Sequence, residues 1–71
     1  MIRKGSRVKW KWGNGMAKGE VVETYTKKTT KIISGTEVTR IGESGNKALF
    51  IRQEDGSTVL KSENEVKRVE S

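Results

Sequence analysis

The segment GSRVKWKWGNG, residues 5–15, decides which fold this chain adopts. Between two glycine-containing turns its residues alternate strictly between apolar and basic. The apolar set is Val8, Trp10 and Trp12, and the basic set is Arg7, Lys9 and Lys11. Because successive side chains of a strand point to opposite faces, this pattern predicts a β-strand with one face against a core and the other in water.

The rest of the chain contains no helical stripe. β-Branched and aromatic residues recur in short runs separated by glycine, about every ten residues, as in small all-β domains. Further strand material is expected at residues 20–26, with a bulge or bend at Val21-Val22, at 32–33 with 36–41, at 48–53 and at 57–62. Residues 27–31 form a polar connection, 62–66 a helical turn and 67–69 a closing strand. The expected fold is an all-β, five-stranded SH3-like or Tudor-like barrel with a short helical turn before the last strand, one domain over residues 1–71.

The last hairpin gives the most detailed prediction. Asp55-Gly56 between two apolar alternations predicts a two-residue type I′ turn, in which both central residues have positive φ. That turn places Ile51 opposite Leu60, with Leu49 on the same side. Phe50, Arg52, Val59 and Lys61 then share the opposite side. The predicted core is Val8, Trp10, Leu49, Ile51 and Leu60.

The composition argues against catalysis. The chain has no cysteine and no histidine, so it lacks a thiolate, the commonest general base and the commonest metal ligands. Its carboxylates lie in predicted surface turns. We therefore expect no enzyme activity, no cofactor and no metal. The start has no apolar run typical of a signal peptide, no segment is long enough to span a membrane, and the absence of cysteine fits a cytoplasmic location.

The positive charge is concentrated in the first half of the chain. The net charge is +6. Residues 1–31 carry nine Lys/Arg and two Glu, a net of +7, whereas residues 32–71 carry six Lys/Arg and seven Asp/Glu, a net of −1. A basic pole attracts nucleic acids or acidic proteins and also keeps a small protein in solution.

The basic side of the first strand is the candidate binding site. Its alternate residues lie about 6.5–7 Å apart, close to the separation of successive phosphates in a nucleic-acid strand. The full candidate set is Arg7, Lys9, Lys11, Lys18, Lys27, Lys28, Trp12, Phe50 and Arg52, with Phe50 as a stacking ring. Two functions stay open: a module that contacts DNA or RNA phosphates without sequence preference, and a protein-interaction adaptor of SH3 or Tudor type that uses a sheet edge or the loops beside Trp12.

Trp10 and Trp12 allow two interpretations. They belong to an aromatic cage for a methylated cation, or they fill and rim the core. A cage needs about three converging rings, and this chain has four aromatic residues in all. Since a buried ring contributes about 150–250 Å² that a thin core cannot otherwise supply, we expect the two tryptophans to fill and rim the barrel.

The chain resembles the hypervirulence-associated protein Tudor-domain family. The resemblance rests on the segment 5–15, on Ala17, Gly19 and Val21-Val22, and on later matches. These matches are Gly35, Val38, Arg40, Ala48, Ile51, Asp55-Gly56, Val59 and Glu65-Val66. It implies an SH3-like barrel over nearly the whole chain and a small domain without an assigned partner.

Overall fold

The computed structural model describes residues 2–69, and this part of the chain contains seven strands. They are β1 (Arg7–Trp12), β2 (Gly15–Tyr25), β3 (Lys28–Ile33), β4 (Thr36–Ile41), β5 (Ala48–Gln53), β6 (Thr58–Ser62) and β7 (Lys67–Arg68). A single 3₁₀ turn, Glu63–Glu65, precedes β7 at the predicted position. No helix in the described part has the length and apolar character to cross a bilayer. The all-β prediction is confirmed.

The strands form two antiparallel sheets. Five of them make one sheet in the order β6-β5-β2-β1-β7, and β3 and β4 make a separate hairpin that packs against β6. β2 contains the predicted bulge, because its pairing with β5 shifts register between Val21 and Glu23. The extra residue sends the side chains on its two sides to different faces of the sheet.

The prediction of a five-stranded barrel is confirmed only in part, because the two sheets do not close into a barrel and residues 2–69 form seven strands rather than five. Closure would need backbone hydrogen bonds between the two ends of the main sheet, but β6 and β7 end it. The segment predicted as a polar connection instead forms most of β3. A two-residue turn at Ser34 and Gly35, with φ of 52° and 77°, pairs β3 with β4. Both φ values have the sign that a type I′ turn requires, so a hairpin forms where the sequence suggested a single middle strand.

All five predicted core residues are buried. Val8, Leu49 and Ile51 are fully inaccessible, Leu60 is 2% exposed and Trp10 is 4% exposed. The main apolar cluster joins residues from the chain start, the sheet and the segment before β7. Its members are Ile2, Val8, Trp10, Val21, Leu49, Ile51 and Val66.

The last hairpin differs from its predicted register by one residue. The loop has three residues, Glu54 to Gly56, and the Gln53 N–H donates to the Ser57 carbonyl at 2.7 Å. Only Gly56 in the loop has a positive φ, 89°, so the turn is not type I′. The Asp55 carboxylate accepts hydrogen bonds from the Ser57 N–H at 2.9 Å and its hydroxyl at 2.6 Å, which stabilises this longer loop.

The shifted register buries β5 on both faces. Ile51 pairs with Val59 and faces the main cluster, whereas Phe50 pairs with Leu60 on the opposite side. Leu60 is therefore buried as predicted but beside Phe50 rather than Ile51, under the hairpin of β3 and β4.

Trp10→Ala should lower the free energy of unfolding by about 3–5 kcal/mol, because it removes the largest side chain of the core and leaves a cavity. This loss is a large part of the roughly 4–10 kcal/mol expected for a chain of this size. Urea unfolding measures the change. Trp12→Ala is the matched control, since Trp12 is 72% exposed and its loss opens no cavity. Equal stability of the two variants would contradict the assignment of Trp10 to the core.

The carboxylate of Glu65 links the hairpin of β3 and β4 to the 3₁₀ turn. Its Oε1 accepts a hydrogen bond from Arg40 Nε at 2.9 Å and from the Ser62 N–H at 3.0 Å, and Lys61 Nζ lies 4.0 Å from Oε2. Partial burial raises the pKa of Glu65, but the hydrogen bonds from Arg40 and Ser62 and the charges of Arg40 and Lys61 outweigh it. The pKa therefore lies below its ordinary value of 4.5.

Glu65→Gln should destabilise the protein at neutral pH and flatten the acid side of its stability profile. A carboxyl whose pKa is lower in the folded than in the unfolded chain stabilises the fold above its unfolded pKa. That contribution disappears as the pH falls through the folded pKa. Urea unfolding from neutral pH to below the ordinary pKa of 4.5 measures both effects. Glu43→Gln removes an exposed carboxylate with no ion pair within residues 2–69, and it should leave the profile unchanged. A parallel profile for Glu65→Gln would show that its carboxylate does not hold the hairpin.

Candidate binding face

The outer side of the five-stranded sheet carries the predicted basic row. Val8 and Trp10 point into the core, so the alternation of β1 turns Arg7, Lys9 and Lys11 to the opposite side. These three side chains lie about 6.5–7 Å apart along the strand.

Pairing with neighbouring strands widens this row into a patch. Lys18 of β2 is the direct cross-strand partner of Lys9, and Lys67 of β7 is its partner on the other side. Directly paired residues of antiparallel strands project from the same face, with their strands about 4.8 Å apart. Arg52 of β5 joins them through Glu20, which pairs with both Arg7 and Arg52. We call the six cations Arg7, Lys9, Lys11, Lys18, Arg52 and Lys67 the basic face.

Carboxylates compensate part of this charge, since Glu20, Glu54, Asp55 and Glu65 line grooves beside its cations. Glu20 lies among the cations, and it lines a groove together with Arg7, Lys18 and Arg52. Glu54 lines the same groove from the loop after β5. Residues 2–69 contain two ion pairs within 4.0 Å. Both involve Glu65, and neither includes a cation of the basic face. The face therefore presents a net positive field to solvent.

Lys67 is the member that the sequence did not reveal. The closing strand was predicted, but its partner was not, and Lys67 joins the face only because β7 pairs with β1. The sequence signal for Lys67 was a basic residue in the predicted closing strand. Its alignment with Lys9 depends on the register between β7 and β1.

Two predicted binding residues lie elsewhere. Lys27 occupies the turn between β2 and β3, and Lys28 pairs with Ile41 on the outer side of the β3–β4 hairpin. Both are exposed, and neither belongs to a strand of the five-stranded sheet.

Phe50 points to the same side as Arg52, as predicted, but it is half-buried rather than an open ring. The ammonium of Lys31 lies 5.1 Å from its centroid and 5.1 Å from the centroid of Tyr25. Cation–π contact of this kind holds the β3–β4 hairpin over the two rings. An internal lysine therefore takes the position that a stacked base would need on Phe50.

The two tryptophans lie in different environments and do not form a cage. Trp10 belongs to the core and Trp12 to the end of the β1–β2 hairpin, where it is 72% exposed. The predicted core position of Trp10 is confirmed, whereas Trp12 lies beyond the core, which ends before the hairpin tip.

Within residues 2–69, the remaining ionisable groups show no arrangement typical of catalysis. No cluster of three or more Asp or Glu in the described part of the chain is placed to hold a metal ion. Asp55 is exposed, and the hydrogen bonds from the Ser57 hydroxyl and N–H lower its pKa. A general acid near neutral pH needs a raised pKa, the opposite shift.

The fold and the charged sheet face are those of a small all-β binding domain. More narrowly, the chain belongs to the hypervirulence-associated protein Tudor-domain family, whose model, described as "Hypervirulence associated proteins TUDOR domain", matches residues 5–66. Tudor domains generally bind proteins or nucleic acids. Neither the curated proteins nor the solved structures include a significant match.

Proposed function

We propose that this protein is a binding module that contacts the phosphates of DNA or RNA through the basic face, without reading the base sequence. The observation that carries the proposal is the gathering of six cations from β1, β2, β5 and β7 on one side of a single sheet. Arg52 and Lys67 come from strands far from β1 in the sequence, so the clustering exceeds what the basic residues near the N-terminus produce alone.

The geometry of the basic face suits a phosphate chain. Spacings of about 6.5–7 Å along β1 and about 4.8 Å between strands let several cations approach neighbouring phosphates of one backbone. Phosphate contacts position a protein on nucleic acid and carry no sequence information by themselves. The face offers lysine and arginine heads on an extended sheet, and the described chain contains no helix longer than the 3₁₀ turn Glu63–Glu65 that could enter a groove.

A second candidate function is the protein-interaction adaptor. Four large apolar side chains are exposed, namely Trp12, Met16, Ile32 and Ile41. Exposed apolar side chains are the common feature of protein docking surfaces. They lie on two hairpins rather than in one patch, since Trp12 and Met16 belong to the β1–β2 hairpin and Ile32 and Ile41 to the β3–β4 hairpin. This separation favours the phosphate-binding function.

The double variant Lys9→Gln/Lys11→Gln should weaken binding to a mixed-sequence oligonucleotide and reduce its salt dependence. Each phosphate contact contributes about 0.7–0.9 to the slope of log K against log salt, so losing two contacts should flatten the slope by roughly 1.4–1.8. Glutamine keeps most of the side-chain stem, and both side chains point away from the core. Fluorescence anisotropy of a labelled oligonucleotide at several salt concentrations measures the slope.

The matched control is Lys27→Gln/Lys28→Gln, which removes the same charge outside the basic face. It should keep most of the wild-type slope. Equal slopes for both double variants would mean that binding follows net charge and not this face. Failure of the wild type to bind nucleic acid near physiological salt would refute the proposal and favour the adaptor.

A further inference from the structure

Trp12 is exposed for a structural reason. Its direct cross-strand partner is Gly15, which has no side chain to cover the indole. The turn residue next to Trp12, Gly13, has no side chain either. A chain with so few large apolar residues thus leaves its largest type of side chain 72% exposed. The exposed indole therefore adds no packing to the core.

The ring lies at the same end of β1 as Lys11, on the opposite side of the strand from the cation row. Arg7, Lys9 and Lys11 run along β1 toward Trp12, and Lys11 directly precedes it. A phosphate chain that follows these cations therefore reaches the tip of the β1–β2 hairpin. There the indole projects from the side of the strand opposite to Lys11, at the free end of the hairpin.

Of the four aromatic residues, Trp12 alone offers an open ring. Trp10 is buried in the core, and Tyr25 and Phe50 share the ammonium of Lys31. Proteins that bind single strands without sequence preference combine a basic track with an aromatic side chain on which bases stack. In a duplex the bases are paired and stacked on one another, so their faces are not available to an indole at the surface.

We infer that Trp12 stacks on an unpaired base and that the partner is single-stranded nucleic acid, whose phosphates lie along Lys11, Lys9 and Arg7. This inference rests on the proposed function of the basic face. The two contacts differ in chemistry: the cations act on phosphates and depend on salt, whereas the indole acts on a base and contributes an affinity that is insensitive to salt.

The test compares two labelled probes of about ten nucleotides, within the range of site sizes of single-strand binders. One is a thymidine oligonucleotide, and the other is an abasic phosphodiester chain of the same length and charge. Trp12→Ala should lose on the order of tenfold in affinity for the thymidine probe. It should bind the abasic probe as the wild type does and keep the wild-type salt slope. Trp12→Phe should recover much of the loss.

Ile32→Ala is the matched control, because it removes an equally exposed apolar side chain from the other hairpin. It should bind both probes as the wild type does. Thermal unfolding of Trp12→Ala should match the wild type and so exclude an effect through the fold. A mixed-sequence duplex of the same length should bind wild type and Trp12→Ala equally.

The outcomes separate this inference from the proposed function. Wild-type binding of the thymidine and abasic probes with equal affinity, or an equal loss on both probes in Trp12→Ala, would overturn the stacking role and leave the basic face intact. Absence of wild-type binding to every probe would overturn the proposed function itself, and the stacking role with it.

Discussion

The alternation of β1 is the constraint on which both the core and the basic face depend. β1 lies between β2 and β7, so its register sets the side-chain faces of the strands on either side. Since the side-chain period of a strand is two residues, burying Val8 and Trp10 forces Arg7, Lys9 and Lys11 outward. A slip of one residue would bury three cations and expose the core residues. The energy that holds the core therefore also orients the basic face.

β5 is covered on both of its sides. Leu49 and Ile51 meet the main cluster, and Phe50 faces the β3–β4 hairpin. The bulge in β2 completes this arrangement. Without the extra residue at Val22, Tyr25 would fall on the core side, but with it Tyr25 pairs with Ala48 on the side of Phe50. The two rings then meet the Lys31 ammonium.

The aromatic residues differ in whether a ligand can reach them. Membership of a Tudor-domain family defines a small binding module, and a fold of this kind serves many partners. The choice among partners must come from the surface. One side of the sheet presents more cations than carboxylates, two rings contact the ammonium of Lys31, and one indole is open at a hairpin tip. The proposed partner, single-stranded nucleic acid, fits both surface features, because its phosphates match the cations and its bases match the open indole. An acidic protein surface matches the cations alone.

Features set by local alternation were readable from the sequence, and those set by strand pairing were not. The outward direction of Lys9, the burial of Trp10 and the bulge at Val21-Val22 follow from neighbouring residues and were predicted. The alignment of Lys67 beside Lys9, the pairing of Phe50 with Leu60 and the open sheet depend on which strands meet and in what register. A loop of three residues instead of two at Asp55-Gly56 was enough to move every pair of the last hairpin by one position. Local sequence determines which way a side chain points, but its neighbours across a sheet are decided by hydrogen bonding and packing between segments far apart in the chain.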